Sequence, residues 1–190
     1  MSRLRAVLAT GNAGKAAELS RLLGADVEAQ SIDVVEDAGS YAGNALIKAR
    51  AAAAVAGGRI GLGDDSGIEV AALGGEPGLH SARWAGPGDA DRNAALLARL
   101  DDTADRSAAF VCVLAAVLPD GREIVAEGRV EGTLAEAPRG AGGFGYDPLF
   151  VPRGDTRSVA ELTADEKDGV SHRGRAARAL AAALAEAGAT

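Results

Sequence analysis

The sequence predicts a mixed α/β fold with both parallel and antiparallel strand pairing. Three observations carry that prediction. Apolar runs of strand length alternate with helical periodicity through the first half of the chain. A long hairpin follows, "AAFVCVLAAVLPDGREIVAEGRVEGTL", two extended runs around a Pro-Asp-Gly turn. The polar and glycine-rich motifs fall where strands end and helices begin, which is where clefts form in such folds.

Each element has its own signal. "RAVLA" (5–9) is a buried strand. "GKAAELSRLLG" puts Ala16, Leu19, Leu22 and Leu23 on one helical face, with Gly24 as its stop. "DVEAQSI" reads as a second strand. "NALIKARAAAAVAGG" is a helix with Asn44 as N-cap and Gly57-Gly58 as terminator. "RIGLG" returns as a strand into "DDSG", and "GIEVAAL" extends again. "ADRNAALLARLD" is a helix. After the hairpin comes a glycine-rich loop, "APRGAGGFGYDPLFVP". Thr163 and Glu166 form a capping box that starts a short helix. Ser171 caps the last helix, "SHRGRAARALAAALAEAG".

With 190 residues the chain suits one domain, 1–190, or two small lobes around one cleft. Aromatic residues are 3% of the chain, so the core is built from Ala, Val and Leu. A net charge of -7 argues against nucleic-acid and membrane-surface binding, since phosphate backbones attract a basic surface. No apolar run reaches membrane-span length and the N-terminus lacks a signal peptide. Cys112, the single cysteine, lies in an apolar run and reads as a buried thiol. A cytoplasmic protein is expected.

Of 20 basic residues only Lys15, Lys48 and Lys167 are lysines, and each sits beside a polar or glycine-rich motif. A compact ammonium suits a point contact to phosphate. "ATGNAGK" (9–15) places a glycine-rich turn between strand and helix, the usual setting for phosphate. It is not a P-loop: Ala9 stands where that motif has its first glycine, and Ala16 where it has the magnesium-binding hydroxyl. "GDDSG" (63–67) supplies adjacent acids. In a strand they point to opposite faces, one toward a cleft and the other toward a neighbouring loop; a solvated turn is the alternative. "GGFGYDP" (142–148) clusters Phe144 and Tyr146 in a chain poor in rings, and a ring there can stack on a purine. "KDGVSHRG" (167–174) adds Lys167, His172 and Arg173 near a helix N-terminus that favours anions. Two distant histidines with no cysteine partner argue against zinc.

Together and in this order, "LATGNAGKAAEL", "GNALIKARAAA", "GDDSGIEVAALGGEPGLHSARWAG", "GGFGYDPLFVP" and "AELTADEKDGVSHRGRA" resemble the inosine triphosphate pyrophosphatase family, enzymes of non-standard purine nucleoside triphosphates. The resemblance implies an elongated mixed central sheet flanked by helices, two lobes around an active-site cleft, and a homodimer. It implies hydrolysis of ITP, dITP and XTP to the monophosphate and pyrophosphate with Mg²⁺. Matched by position, Thr10, Gly11, Asn12, Ala13, Gly14 and Lys15 hold the triphosphate, with Lys48 nearby. The same resemblance implies that Asp65 is the general base and a magnesium ligand and that Ser66 touches substrate. Phe144, Gly145, Tyr146 and Asp147 line the base pocket, and Lys167, His172 and Arg173 complete recognition of a 6-oxopurine.

One position departs from the family pattern. An acid that helps bind metal usually precedes the asparagine of "NALIKA", and here that place is Gly43. Metal binding then rests on Asp65 and substrate phosphates, or Glu36, Asp37 or Asp64 substitutes; weaker magnesium binding is expected, and Gly43→Glu is expected to restore it. Two other readings are a pyrophosphatase of pyrimidine or modified nucleotides and a nucleotide sensor that binds without cleaving.

Overall fold

The computed structural model describes residues 4–189. Its sheet has six strands in the order β2-β1-β3-β4-β5-β6. Strand β1 (Arg5–Ala9) runs parallel to β2 (Asp26–Gln30) and to β3 (Ile60–Val70). Ala6, Val7, Leu8 and Ala9 of β1 are all buried, as a parallel strand covered on both faces requires. Strands β4 (Ser107–Val117) and β5 (Glu123–Leu134) flank the expected turn. Strand β6 (Phe150–Pro152) pairs antiparallel with β5. The sequence reading leaves these three residues in the loop, because so short an edge strand carries no period of its own.

The helices are α1 (Ala13–Leu23), α2 (Tyr41–Val55), α3 (Asp89–Ala98), α4 (Ala164–Val170) and α5 (His172–Glu186). Gly24 ends α1 in the left-handed conformation, and Thr163 and Glu166 form both bonds of the capping box on α4. One expectation changes, and one open alternative is decided. Helix α2 begins at Tyr41, capped by Ser40, whose Oγ accepts from the Gly43 amide at 3.1 Å. Asn44 therefore lies one turn inside the helix with its amide group available to other partners. "GDDSG" is not a turn; it lies within β3, so both acids are strand residues.

The chain divides into two compact units. One comprises the chain through Asp65, Cys112–Gly128 and the residues from Arg173 on; the other comprises Ser66–Val111 and Arg129–His172. The first has a core of Leu8, Leu19, Leu62, Leu114, Leu180 and Leu184. Here β3 and α2 pack backbone against backbone. A Cβ on Gly61 would stand 2.3 Å from the Ala53 nitrogen, and one on Gly63 2.0 Å from the Ala45 oxygen. Ala45, Ala49 and Ala52, all buried, give the helix its matching flat face. The second unit is cored by Ile68, Leu96, Leu100, Phe110, Leu149 and Phe150. Among the described residues no helix is long and apolar enough to cross a membrane.

Candidate active site

In the first unit, the close approach of α2 to β3 sets the chemistry. Asn44 and Lys48 lie one turn apart on α2 and both reach Asp65 of β3. Asn44 Nδ2 donates to Asp65 Oδ2 at 3.1 Å, and Lys48 Nζ lies 3.5 Å from Oδ1. Lys48 also donates to Glu36 Oε2 at 2.8 Å. Burial raises the proton affinity of Asp65; Lys48 and Asn44 oppose this, and the charges of Glu36 and Asp64 reinforce it. The result is a carboxyl held above its ordinary pKa, the direction that suits a general base.

Its neighbour has the opposite environment. Asp64 receives Lys15 Nζ at 2.5 Å and Arg173 Nε at 2.9 Å. Burial disfavours its charge, but Arg173 and Lys15 outweigh burial and hold the carboxyl well below the usual range. Arg173 Nη1 continues to Glu18 Oε2 at 3.1 Å, so a buried acid on α1 completes the chain of charges. The Cys112 thiol lies against Asp64 at 3.5 Å, and burial together with that carboxylate pushes its pKa well up. Cys112 is the inert buried thiol its sequence setting suggests.

At the end of β1, Thr10 Oγ1 accepts from the Asn12 amide at 3.1 Å. Asn12 Oδ1 caps α1 by accepting from the Gly14 and Lys15 amides at 2.9 and 3.3 Å. Gly11, Asn12, Ala13 and Gly14 are exposed at this helix N-terminus, a favourable place for phosphate.

The Glu36–Lys48–Asp65 arrangement decides what could hold a metal. A cation, the Lys48 ammonium, already stands against both carboxylates. Two acid oxygens with phosphate and water suit a small hard cation. Among the described residues no group of three or more His, Cys, Asp or Glu is gathered for a metal. Asp64 is committed to Arg173 and Lys15, and Asp37 is exposed. Glu36 is therefore the acid best placed to take the part expected of Gly43. The place of Gly43 itself is closed: a Cβ there would lie 2.4 Å from that of Ala38.

The second unit gathers the other expected residues. Asp147 Oδ2 accepts from the Phe144 amide at 2.9 Å and from Lys167 Nζ at 2.8 Å. Lys167 also lies over the Phe144 ring, 4.6 Å from its centroid. Gly143 has φ 72°, and a Cβ there would stand 2.1 Å from Asp147 Oδ2. The loop thus wraps its own aspartate. Tyr146 turns inward: it is buried, and its hydroxyl donates to the Ser81 carbonyl at 2.9 Å. His172 stacks on Phe110 at 4.5 Å, with the planes 16° apart. Ser66 is half-buried at the start of this unit's share of β3.

Three of the expected residues are buried and held by protein. Tyr146 and Asp147 build the loop from within, since both are buried and bonded to protein. Arg173, expected to read a purine edge, is fully buried between Asp64 and Glu18. Asn44 and Glu18 go unread as site residues, because a capping Asn and a helix acid have ordinary structural explanations in sequence.

The family model described as the Ham1 family matches residues 6–183. A dITP/XTP pyrophosphatase of Symbiobacterium thermophilum is 54% identical over 93% of this chain and 92% of its own length. One from Streptomyces coelicolor is 50% identical over 96% of this chain and 98% of its own. A solved HAM1 protein from Coxiella burnetii superposes with a TM-score of 0.84 at 39% identity, covering 96% of this chain and 99% of that one.

Proposed function

We propose, since this chain belongs to the Ham1 family, that it hydrolyses the non-standard purine triphosphates ITP, dITP and XTP to the monophosphate and pyrophosphate. The name shared by its relatives supports this, as do the five ordered motifs. The observation that carries the chemistry is Asp65, a buried carboxylate of raised proton affinity held by Asn44 and Lys48 beside Glu36.

Asp65 Oδ1 or Oδ2 takes the proton of a water that attacks the α-phosphorus. The bond from that phosphorus to the bridging oxygen breaks, and pyrophosphate leaves with the electron pair. Lys15 and Lys48 stabilise the charge that develops on the phosphates, at the end of α1 that favours anions. Mg²⁺, held by Asp65 and Glu36, would neutralise phosphate charge and acidify water. Asn44 keeps the Asp65 carboxylate in one rotamer. Phe144 offers a ring to the base. Lys167 and His172 supply donor chemistry toward a 6-oxo group; a 6-amino group in its place leaves such donors unpaired, which is how a buried polar site rejects an analogue. Arg173 acts on Asp64 and not on the base. A cytoplasmic homodimer completes the proposal.

The test is pyrophosphate release with Mg²⁺ from ITP, dITP, XTP, ATP, GTP and dTTP. Release from the first three well above the others is expected. Preference for dTTP would favour the pyrimidine alternative, and tight ITP binding without release would favour a sensor.

A further inference from the structure

Helix α3 carries no residue that the reaction uses, yet it grips the "FGYD" loop at a single residue, through the peptide groups on both sides of it. Gly145 donates its amide to Asp89 Oδ2 at 2.7 Å and receives Asn93 Nδ2 on its carbonyl at 3.0 Å. Asp89 and Asn93 are four apart on α3 and so share one helical face. Asn93 is 4% exposed, and among the described residues its Oδ1 has no partner. The grip is itself anchored. Arg92 donates to the other oxygen of Asp89. Its Nη1 faces the carbonyls of Ala82, Gly86 and Pro87 at 3.3, 3.1 and 3.0 Å. The next loop residue, Tyr146, ties back to Ser81, whose Oγ accepts from the Ile68 amide at 2.9 Å.

We infer that Asp89 and Asn93 are positioning residues for base selection. They fix the two peptide groups that flank the Gly145 Cα, and through them the direction of Phe144 on one side and of the Asp147–Lys167 pair on the other. A glycine at φ 64° has no side chain to hold itself in place, so the brace must come from outside the loop. Discrimination between 6-oxo and 6-amino purines depends on donors set in one geometry, and a loop free to adjust would accept either. This inference rests on the proposed purine triphosphatase activity.

Asp89→Asn and Asn93→Asp test it with isosteric changes. An amide has one acceptor oxygen for the two donors, Arg92 and Gly145, that the Asp89 carboxylate now serves. An aspartate at 93 has no donor for the Gly145 carbonyl. Thermal melts identify the variants that fold, and kcat and KM are measured for ITP and ATP, with amide exchange at Gly145. Expected are faster Gly145 exchange, a KM for ITP up about tenfold, kcat within twofold, and an ITP-over-ATP preference down about tenfold. Should Asn93→Asp fail to fold, Asn93→Ser replaces it, with the same expectations. Wild type active on ITP with KM and preference unchanged in the folded variants overturns the brace alone. Wild type inactive on every purine triphosphate overturns the functional reading and the brace with it.

Discussion

Asp64 and Asp65 are adjacent in one strand and have opposite proton affinities. Asp64 is held far below the ordinary carboxylate pKa by Arg173 and Lys15, against burial. Asp65 is pushed above it by burial, against Lys48 and Asn44. Strand alternation explains the split: each acid points to its own side of β3 and meets different helices. One acid is thereby held in its charged form, and the other takes up a proton more readily than an ordinary carboxylate.

Removing the Asp64 charge should damage the fold. Asp64→Asn leaves Arg173, fully buried, with one fewer carboxylate and leaves Lys15 without its partner. Breaking a buried pair from one side costs about 3–5 kcal/mol. Urea denaturation of this variant should show a loss of that order. A loss under about 1 kcal/mol would mean that Arg173 and Lys15 find other partners.

Asp65 should show the reverse in stability. A folded carboxyl with a raised pKa binds its proton more tightly than the unfolded chain does. Stability therefore falls as pH rises from the ordinary carboxylate value through the raised one, and the penalty persists above it. In EDTA, Asp65→Asn should melt higher than wild type at neutral pH, and the gap should close in acid. A neutral-pH melting point below wild type would contradict the assignment. For Asp64 the sign is opposite. Its contribution is present above the unfolded carboxylate pKa and is lost only as pH falls through its depressed folded value.

The metal argument favours Glu36. Glu36→Gln should raise the Mg²⁺ concentration needed for half-maximal activity by about tenfold, since a neutral amide is a poor ligand for a hard cation. Gly43→Glu, expected from sequence to improve metal binding, should not. Its Cβ would meet Ala38, and overpacking of this kind costs about 1–3 kcal/mol. Titration of both variants with Mg²⁺, read beside their melts, separates the two positions.

Gly63 should be irreplaceable. An alanine methyl would stand 2.0 Å from the Ala45 carbonyl oxygen and 2.6 Å from the Ala49 nitrogen, both backbone atoms of α2. Helix and strand would have to separate, taking Asn44 and Lys48 away from Asp65. Gly63→Ala should abolish turnover and lower the melting temperature. A variant with wild-type activity would show that α2 can shift without cost to the site.

Much of this was legible in the sequence. The strand β1, the caps of α1 and α4 and the hairpin all have local signals, and the structure reproduces them. The three lysines and the ring-bearing glycine loop stand out in a chain of alanine and arginine, but the roles of the site residues come from the family resemblance. Three things were not legible. A capping asparagine and a site asparagine look alike, so Asn44 was misread until Ser40 took the cap. An arginine near a helix start can face solvent or lie buried, and only the distant Glu18 and Asp64 decide it. The Gly145 brace joins residues 56 and 52 positions apart, which no local pattern reports.

In the proposed reaction Asp65 accepts the proton in the attack on the α-phosphorus. The most direct measurement is single-turnover pyrophosphate release from ITP by Asp65→Asn at saturating Mg²⁺, with ITP binding measured on the same sample. Loss of at least about a thousandfold in rate with ITP still bound is the predicted result. Release within about tenfold of wild type would place the base elsewhere.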